Sequence, residues 1–174
     1  MQKIQLARTC HFLFLSISFI MASLSTYGQA VAYKWQSVTP AAFDSIAYRL
    51  EEVTFYDEKR TELDQAIDSL YMLAEEHEDQ VLFARALHWH AWKEIQLDID
   101  EASKLINRAL LLVDSVSYPY DYIRFRFIKG DVMRKSGQWL EAYHIYKEQK
   151  DYFEEIEDWF YLAKTYVVLG VLFN

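Results

Sequence analysis

Apolar residues recur at spacings of three and four along most of this chain, and each run stops at a turn signal. Phe43, Ile46, Ala47, Leu50 and Val53 form the first stripe, the signature of one buried helix face. Thr39-Pro40 precedes it as a helix start, with threonine as N-cap and proline at the first helical position. That helix is expected to end near Tyr56. A second stripe, Leu63, Ala66, Ile67, Leu70, Leu73 and Ala74, closes in the acidic run at 75–79. Between residues 80 and 97 apolar residues occupy most sides of a helix (Leu82, Ala86, Leu87, Trp89, Ala91, Ile95), as expected where a helix packs on two neighbours. Asp98-Ile99-Asp100 makes a turn in which either aspartate suits an N-cap. The next helix turns Ala102, Leu105, Ile106, Ala109 and Leu112 inward. Residues 115–119 interrupt the pattern. Helices then follow over 120–135 and 138–156, and Asp158 caps a seventh over 159–173.

Laid over one another, these segments repeat. Glu101-Ala102 and Glu141-Ala142 stand 40 residues apart, as do Ile99 and Trp139, Ile106 and Tyr146, and His90 and Gly130. Gly170 lies the same distance beyond Gly130. Helix–turn–helix units recurring at such a period mark an α-solenoid. The clearest unit carries Gly130 in its first helix, Gly137 at the turn, then Trp139, Ala142 and Tyr146 in its second. On these residues the chain resembles the tetratricopeptide repeat family, over roughly residues 41–174. Its period exceeds the family's usual value of about 34 residues, and looks more like the longer-period variety of exported bacterial sensory and regulatory proteins. The chain departs from the family's preferences at Arg126, Gln149 and Glu154, where tryptophan, alanine and proline are favoured. The resemblance implies an all-α fold: a right-handed superhelical array of antiparallel helix pairs, about three pairs plus one unpaired C-terminal helix. It also implies that Gly130 and Ala142 let paired helices approach closely while Tyr146 fills the groove beside them.

Composition agrees with long helices. Four glycines and two prolines in 174 residues leave little material for the tight turns of a β protein. Aromatic residues at 17% supply enough apolar surface to offset the entropy of ordering the chain. Eighteen basic against 26 acidic residues give a net charge of −8, which repels nucleic acid and anionic lipid.

Residues 1–30 have the layout of a secretory signal peptide. Lys3 and Arg8 form a positive start, residues 12–21 an apolar stretch, and Gly28-Gln29-Ala30 a small-residue cleavage site, with Ala22 as a second option. The apolar stretch is well short of the roughly 20 residues that span a bilayer, so cleavage and export to the periplasm or beyond are expected rather than an anchor. Cys10 is the single cysteine and leaves with the signal. Residues 31–38 read as an extended leader, and 39–174 as the helical domain.

Catalytic and metal motifs are not found. His88 and His90, two apart on a helix, point to opposite faces and cannot share one ion. His90 is expected to be a packing histidine. The acidic clusters fall at helix ends and outer faces, and no phosphate loop, serine elbow or dinucleotide fingerprint occurs. No cofactor is expected. The aromatics Trp89, Trp92, Tyr143, Tyr146, Phe153 and Trp159 are expected in the core, with Tyr120 and Tyr122 as candidates for an exposed binding surface.

The resemblance places ligands on a concave face formed by the first helix of each pair. Here that face would hold Arg124, Phe127, Asp131 and Arg134, flanked by Leu87, Ala91 and Glu94 on one side and Lys164 and Val167 on the other. Arg124, Arg134 and Lys164 would make a basic strip suited to an extended acidic peptide or a C-terminal carboxylate. The expected function is therefore non-enzymatic recognition of a protein or peptide, in the setting of the N-terminal sensory part of a larger regulator. A stand-alone exported scaffold that self-associates through the apolar residues of 159–174 is the alternative. The bare apolar face of that last helix suggests a sequence that continues with further repeats.

Overall fold

The computed structural model describes residues 40–53 and 60–172, and all regular elements among them are α-helices. They are α1 (Ala41–Val53), α2 (Arg60–Glu76), α3 (Gln80–Glu94), α4 (Ile99–Leu112), α5 (Pro119–Lys135), α6 (Trp139–Glu155) and α7 (Trp159–Leu172). The all-α expectation holds, and each helix lies on its apolar stripe. The signal peptide, the leader, the Thr39 cap, the helix end near Tyr56 and Phe173 fall outside the described residues.

Side-chain caps set several helix starts. Asp79 Oδ1 accepts from the backbone N–H groups of Val81 and Leu82 at 2.7 and 3.1 Å. Of the two candidates before α4, Asp98 is the cap, accepting from Asp100 and Glu101, both at 3.0 Å. Asp158 accepts from Tyr161 N at 3.2 Å at the start of α7. Each cap satisfies helix N–H groups that have no partner within the helix.

Three turns share one hydrogen-bond pattern. Gly137 has φ +78°, its N–H bonds to Arg134 O, and the next N–H, that of Gln138, bonds to Met133 O. Glu78 and Glu157, at φ 50° and 55°, do the same at the ends of α2 and α6, bonding to Glu75 O and Glu154 O with Asp79 and Asp158 following. This is the left-handed C-terminal cap that glycine adopts without strain and other residues adopt at a cost.

Each helix packs on the one before and the one after it, and α3 also touches α5. Consequently α3 is buried on two sides, through Leu82, Ala84, Ala86, Leu87, Trp89 and Ala91. A Cβ built on Gly130 would lie 2.6 Å from Tyr146 Cε1 and 3.2 Å from Ile145 Cγ2, so α5 and α6 meet at a distance that only glycine permits. Tyr146 fills the space beside it, fully buried, and its hydroxyl donates to Asp131 Oδ1 at 2.8 Å. Burial and the Asp131 charge both raise the phenol pKa. Gly170 has no atom within 4 Å of a Cβ position. Gln149, where the repeat family favours alanine, is buried and donates from Nε2 to Ile123 O at 3.1 Å, tying α6 to α5.

Candidate functional site

Side chains from α3, α5 and α7 converge on one cleft. Two contacts hold those helices in place. Arg85 on α3 grips Asp121 on α5 through Nε–Oδ1 and Nη2–Oδ2, both 2.7 Å, with 3% and 4% of the residues exposed. Such a fork is rigid because both planar groups are fixed at two points. Tyr120 on α5 donates to Asp158 Oδ2 at 2.9 Å, so the same carboxylate that caps α7 also anchors it to α5.

The cleft is partly open and has a volume of about 50 Å³. Its walls are His88, Trp89 and Trp92 from α3, Arg124, Phe127 and Ile128 from α5, and Tyr161 and Lys164 from α7. The Arg124 guanidinium carbon lies 4.6 Å from the centre of the Tyr161 ring and 5.8 Å from that of Trp89. From the same helix as Tyr161, Lys164 Nζ stands 4.3 Å from the Phe160 ring and 5.0 Å from Tyr161. Cation–aromatic contacts of this kind hold charge in a partly apolar setting. His88 stacks on Phe125 with ring centres 5.2 Å apart. Burial, then the charges of Arg124 and Lys164, hold its pKa well below 6.5, so it is neutral in the folded protein. His88 Nδ1 and Trp89 Nε1 are buried without a hydrogen-bond partner.

Of the five residues singled out from the sequence, Arg124, Phe127 and Lys164 meet in this cleft. Asp131 and Arg134 lie elsewhere on α5 and engage each other, Arg134 Nη2 donating to Asp131 Oδ1 at 3.1 Å beneath the Tyr146 hydroxyl. Arg134 is thus paired with an acid of its own helix, and it does not line the cleft that Arg124 and Lys164 share. Leu87 and Ala91 are buried in the core, and Glu94 pairs with Lys93 at 2.9 Å. Val167 is exposed. Tyr120 and Tyr122 are half-buried rather than open. Trp159, expected inside, is 49% exposed.

The two histidines of the pair at 88 and 90 serve different neighbours. His90 faces α2, where its Nδ1 lies 3.2 Å from the Tyr71 hydroxyl, and burial pushes that phenol up to about 12. Among the described residues no cluster of three or more histidine, cysteine, aspartate or glutamate side chains has the placement to hold a metal ion. A roomier recess of about 350 Å³ lies between α1 and α2. Its walls carry opposite charges, Arg49 and Glu62, and it gathers none of the unsatisfied side-chain groups of the α3–α5–α7 cleft.

His88 and Tyr161 escaped sequence reasoning because they come together only through three helices that are not adjacent in the chain. Trp89 was legible as core, yet not as a donor left without an acceptor. No family model matches the chain, and neither a curated protein nor a solved structure matches it. Among the described residues, no helix is long and apolar enough to cross a membrane.

Proposed function

We propose that this chain is a non-enzymatic module that binds a protein or peptide, built of tetratricopeptide-like helix pairs in a right-handed solenoid and exported as the sensory part of a larger regulator. The cleft between α3, α5 and α7 carries this reading. It draws on the alternate helices that the resemblance assigns to ligand contact, and it combines two cations with aromatic walls and unsatisfied polar groups. Aromatic and arginine side chains are the groups most often responsible for recognition of protein partners. The close approach at Gly130, the Tyr146 packing and the recurrent turn geometry support the helix-pair arrangement.

Display of random peptides against the protein tests the reading. Peptides enriched on the parent protein are expected to bind a folded Lys164→Glu variant about tenfold more weakly or worse, the effect of losing one favourable charge contact. Peptides that bind both proteins equally would refute recognition at this cleft.

A second reading rests on α7, which exposes Tyr166, Val167 and Val171 along one end of the fold. An apolar helix face of this kind suits self-association. A dimer in light scattering that becomes monomeric in a Val167→Ser, Val171→Ser variant would favour an exported scaffold; a monomer at every concentration would remove that alternative.

A further inference from the structure

We propose that the outer face of α7 is a docking surface for an amphipathic helix of a partner protein, seated there as α4 is on α3 and α6 on α5. The face is made of Ala163, Tyr166, Val167, Gly170 and Val171, all exposed. At 100° per residue it lies opposite the buried Tyr161 and Thr165, and so away from the cleft. The repeat within the chain identifies what covers it.

A step of 40 residues back sets these five on Ile123, Arg126, Phe127, Gly130 and Asp131 of α5. Each of those meets α6. Gln149 Nε2 donates to Ile123 O at 3.1 Å, Glu148 pairs with Arg126, and the Tyr146 ring lies 5.8 Å from that of Phe127. The same ring covers Gly130, and its hydroxyl reaches Asp131 at 2.8 Å. A second step of the same length reaches Phe83, Leu87 and Ala91 on α3. Arg108 on α4 lies 5.0 Å from the centre of the Phe83 ring, and Leu87 and Ala91 share one core with Ala102, Leu105, Ile106 and Ala109 of α4. A helix thus covers this register on α3 and on α5. On α7 the same register leaves Tyr166, Val167 and Val171 exposed by 50, 67 and 53%.

The chemistry of the face specifies the occupant. On α5 the face presents a guanidinium and a carboxylate, and α6 answers with Glu148 and the Tyr146 hydroxyl. At those two positions α7 has Tyr166 and Val171, and the face holds no charged side chain. A charge laid against it would lose water and gain no counter-charge. The occupant therefore turns apolar residues inward throughout, as α4 does with Ala102, Leu105, Ile106 and Ala109. Opposite Gly170 it carries a large residue. Gly130 makes room for Tyr146, and a Cβ built on Gly170 meets no atom within 4 Å. The partner helix then reads small, aliphatic three residues on, and large at the next, the spacing shared by Ala102-Leu105-Ile106 and Ala142-Ile145-Tyr146. A second copy of the chain cannot supply it from α4 or α6, whose apolar faces are buried on its own α3 and α5.

The test uses the full chain and a capped peptide of the α4 sequence, residues 98–113. A lactam between Asp100 and Lys104, both exposed on α4, holds the peptide helical, so failure to bind cannot be traced to an unfolded ligand. Binding is read by fluorescence anisotropy. The parent peptide is expected to bind, and an Ile106→Tyr peptide to bind about threefold or more tightly because its ring enters the space over Gly170. Gly170→Leu in the protein should cancel that advantage. Val167→Glu, at an exposed position where circular dichroism should show an unchanged fold, is expected to weaken both peptides by about tenfold or more. Leu105→Asp with Ile106→Asp in the peptide should abolish binding. Equal affinity for the parent protein and Val167→Glu overturns the inference, as does a lack of binding by both peptides at millimolar concentration. A tyrosine advantage that survives Gly170→Leu overturns the placement of the helix on this face. A dimer in light scattering that Val167→Glu makes monomeric, and that neither peptide dissociates, overturns the partner helix in favour of a second copy. None of these outcomes touches recognition at the cleft, which the display experiment tests by itself.

Discussion

Replacing Gly130 with alanine probes the contact between α5 and α6 with a known sign. In an open helix interior this change stabilises by about 1 kcal/mol, because alanine has less backbone freedom to lose. Here the new methyl would sit 2.6 Å from Tyr146 Cε1, 3.1 Å from Cζ and 3.2 Å from Ile145 Cγ2. The ring cannot swing aside, since it is fully buried, packs on Phe127 at 5.8 Å and donates to Asp131 at 2.8 Å. Overpacking of this type costs about 1–3 kcal/mol. Displacing the ring also weakens a charge-assisted hydrogen bond worth about 1.5–3 kcal/mol. Set against the propensity gain, a net loss of about 2–3 kcal/mol is expected, read from urea unfolding by far-ultraviolet circular dichroism. Gly170→Ala is the control: with nothing within 4 Å, it is expected to be neutral or stabilising by up to about 1 kcal/mol. In a Tyr146→Leu background the Gly130→Ala penalty is expected to shrink by at least half, as a double-mutant cycle would show. A Gly130→Ala protein as stable as its parent would refute the packing argument.

Asp121→Ala removes the carboxylate that grips the buried Arg85 guanidinium at two points and is expected to cost about 3–5 kcal/mol, whereas Arg85→Met with Asp121→Leu should recover most of that loss; equal costs in chemical unfolding would contradict it. Glu157→Gly relieves a left-handed backbone at φ 55° and is expected to stabilise by about 0.5–1 kcal/mol, while Gly137→Ala should destabilise by a similar amount, so thermal melts that move the same way for both would be inconsistent. His88, held neutral in the fold by burial and by Arg124 and Lys164, has a pKa well below 6.5. The unfolded chain then binds the proton first, so stability is full above the unfolded value and declines as pH drops below it, by up to about 1.4 kcal/mol per unit. His88→Phe should flatten that acid limb, and an unchanged slope would show that His88 does not titrate as described.

Periodicity located the helices because most of them hide one face, and spacing records which face is hidden. It overshot the end of α3 for the same reason. Ile95 continues the buried stripe at 6% exposure, yet the helix has already stopped at Glu94 and the chain turns, with Leu97 N bonding to Glu94 O. Spacing reports burial, whereas the helix end is set by hydrogen bonding. The Gly130–Tyr146 contact was legible because small and large residues at a fixed offset compensate each other. The Arg85–Asp121 pair was not, since its partners are 36 residues apart and no motif distinguishes two charged residues that meet from two that do not. Arg134 looked like an open cation until its neighbour one turn earlier, Asp131, proved to hold it. Trp159 looked like core by its aromatic character alone, and its position at the start of α7 leaves it half in solvent.

Packing between sequence neighbours, with linking turns of three to six residues from α2 onward, also governs the kinetics of this fold. Contacts that close short loops form early and cheaply, so such a chain folds on the fast side of the microsecond-to-second range. It also opens piecemeal, with α3, buried on two sides, among the last helices to exchange their amide hydrogens. The Arg85–Asp121 fork skips over α4 to join α3 with α5, and as a contact 36 residues apart it is expected to form after the local turns. It therefore acts as a latch between α3 and α5: its loss should accelerate unfolding more than it slows folding.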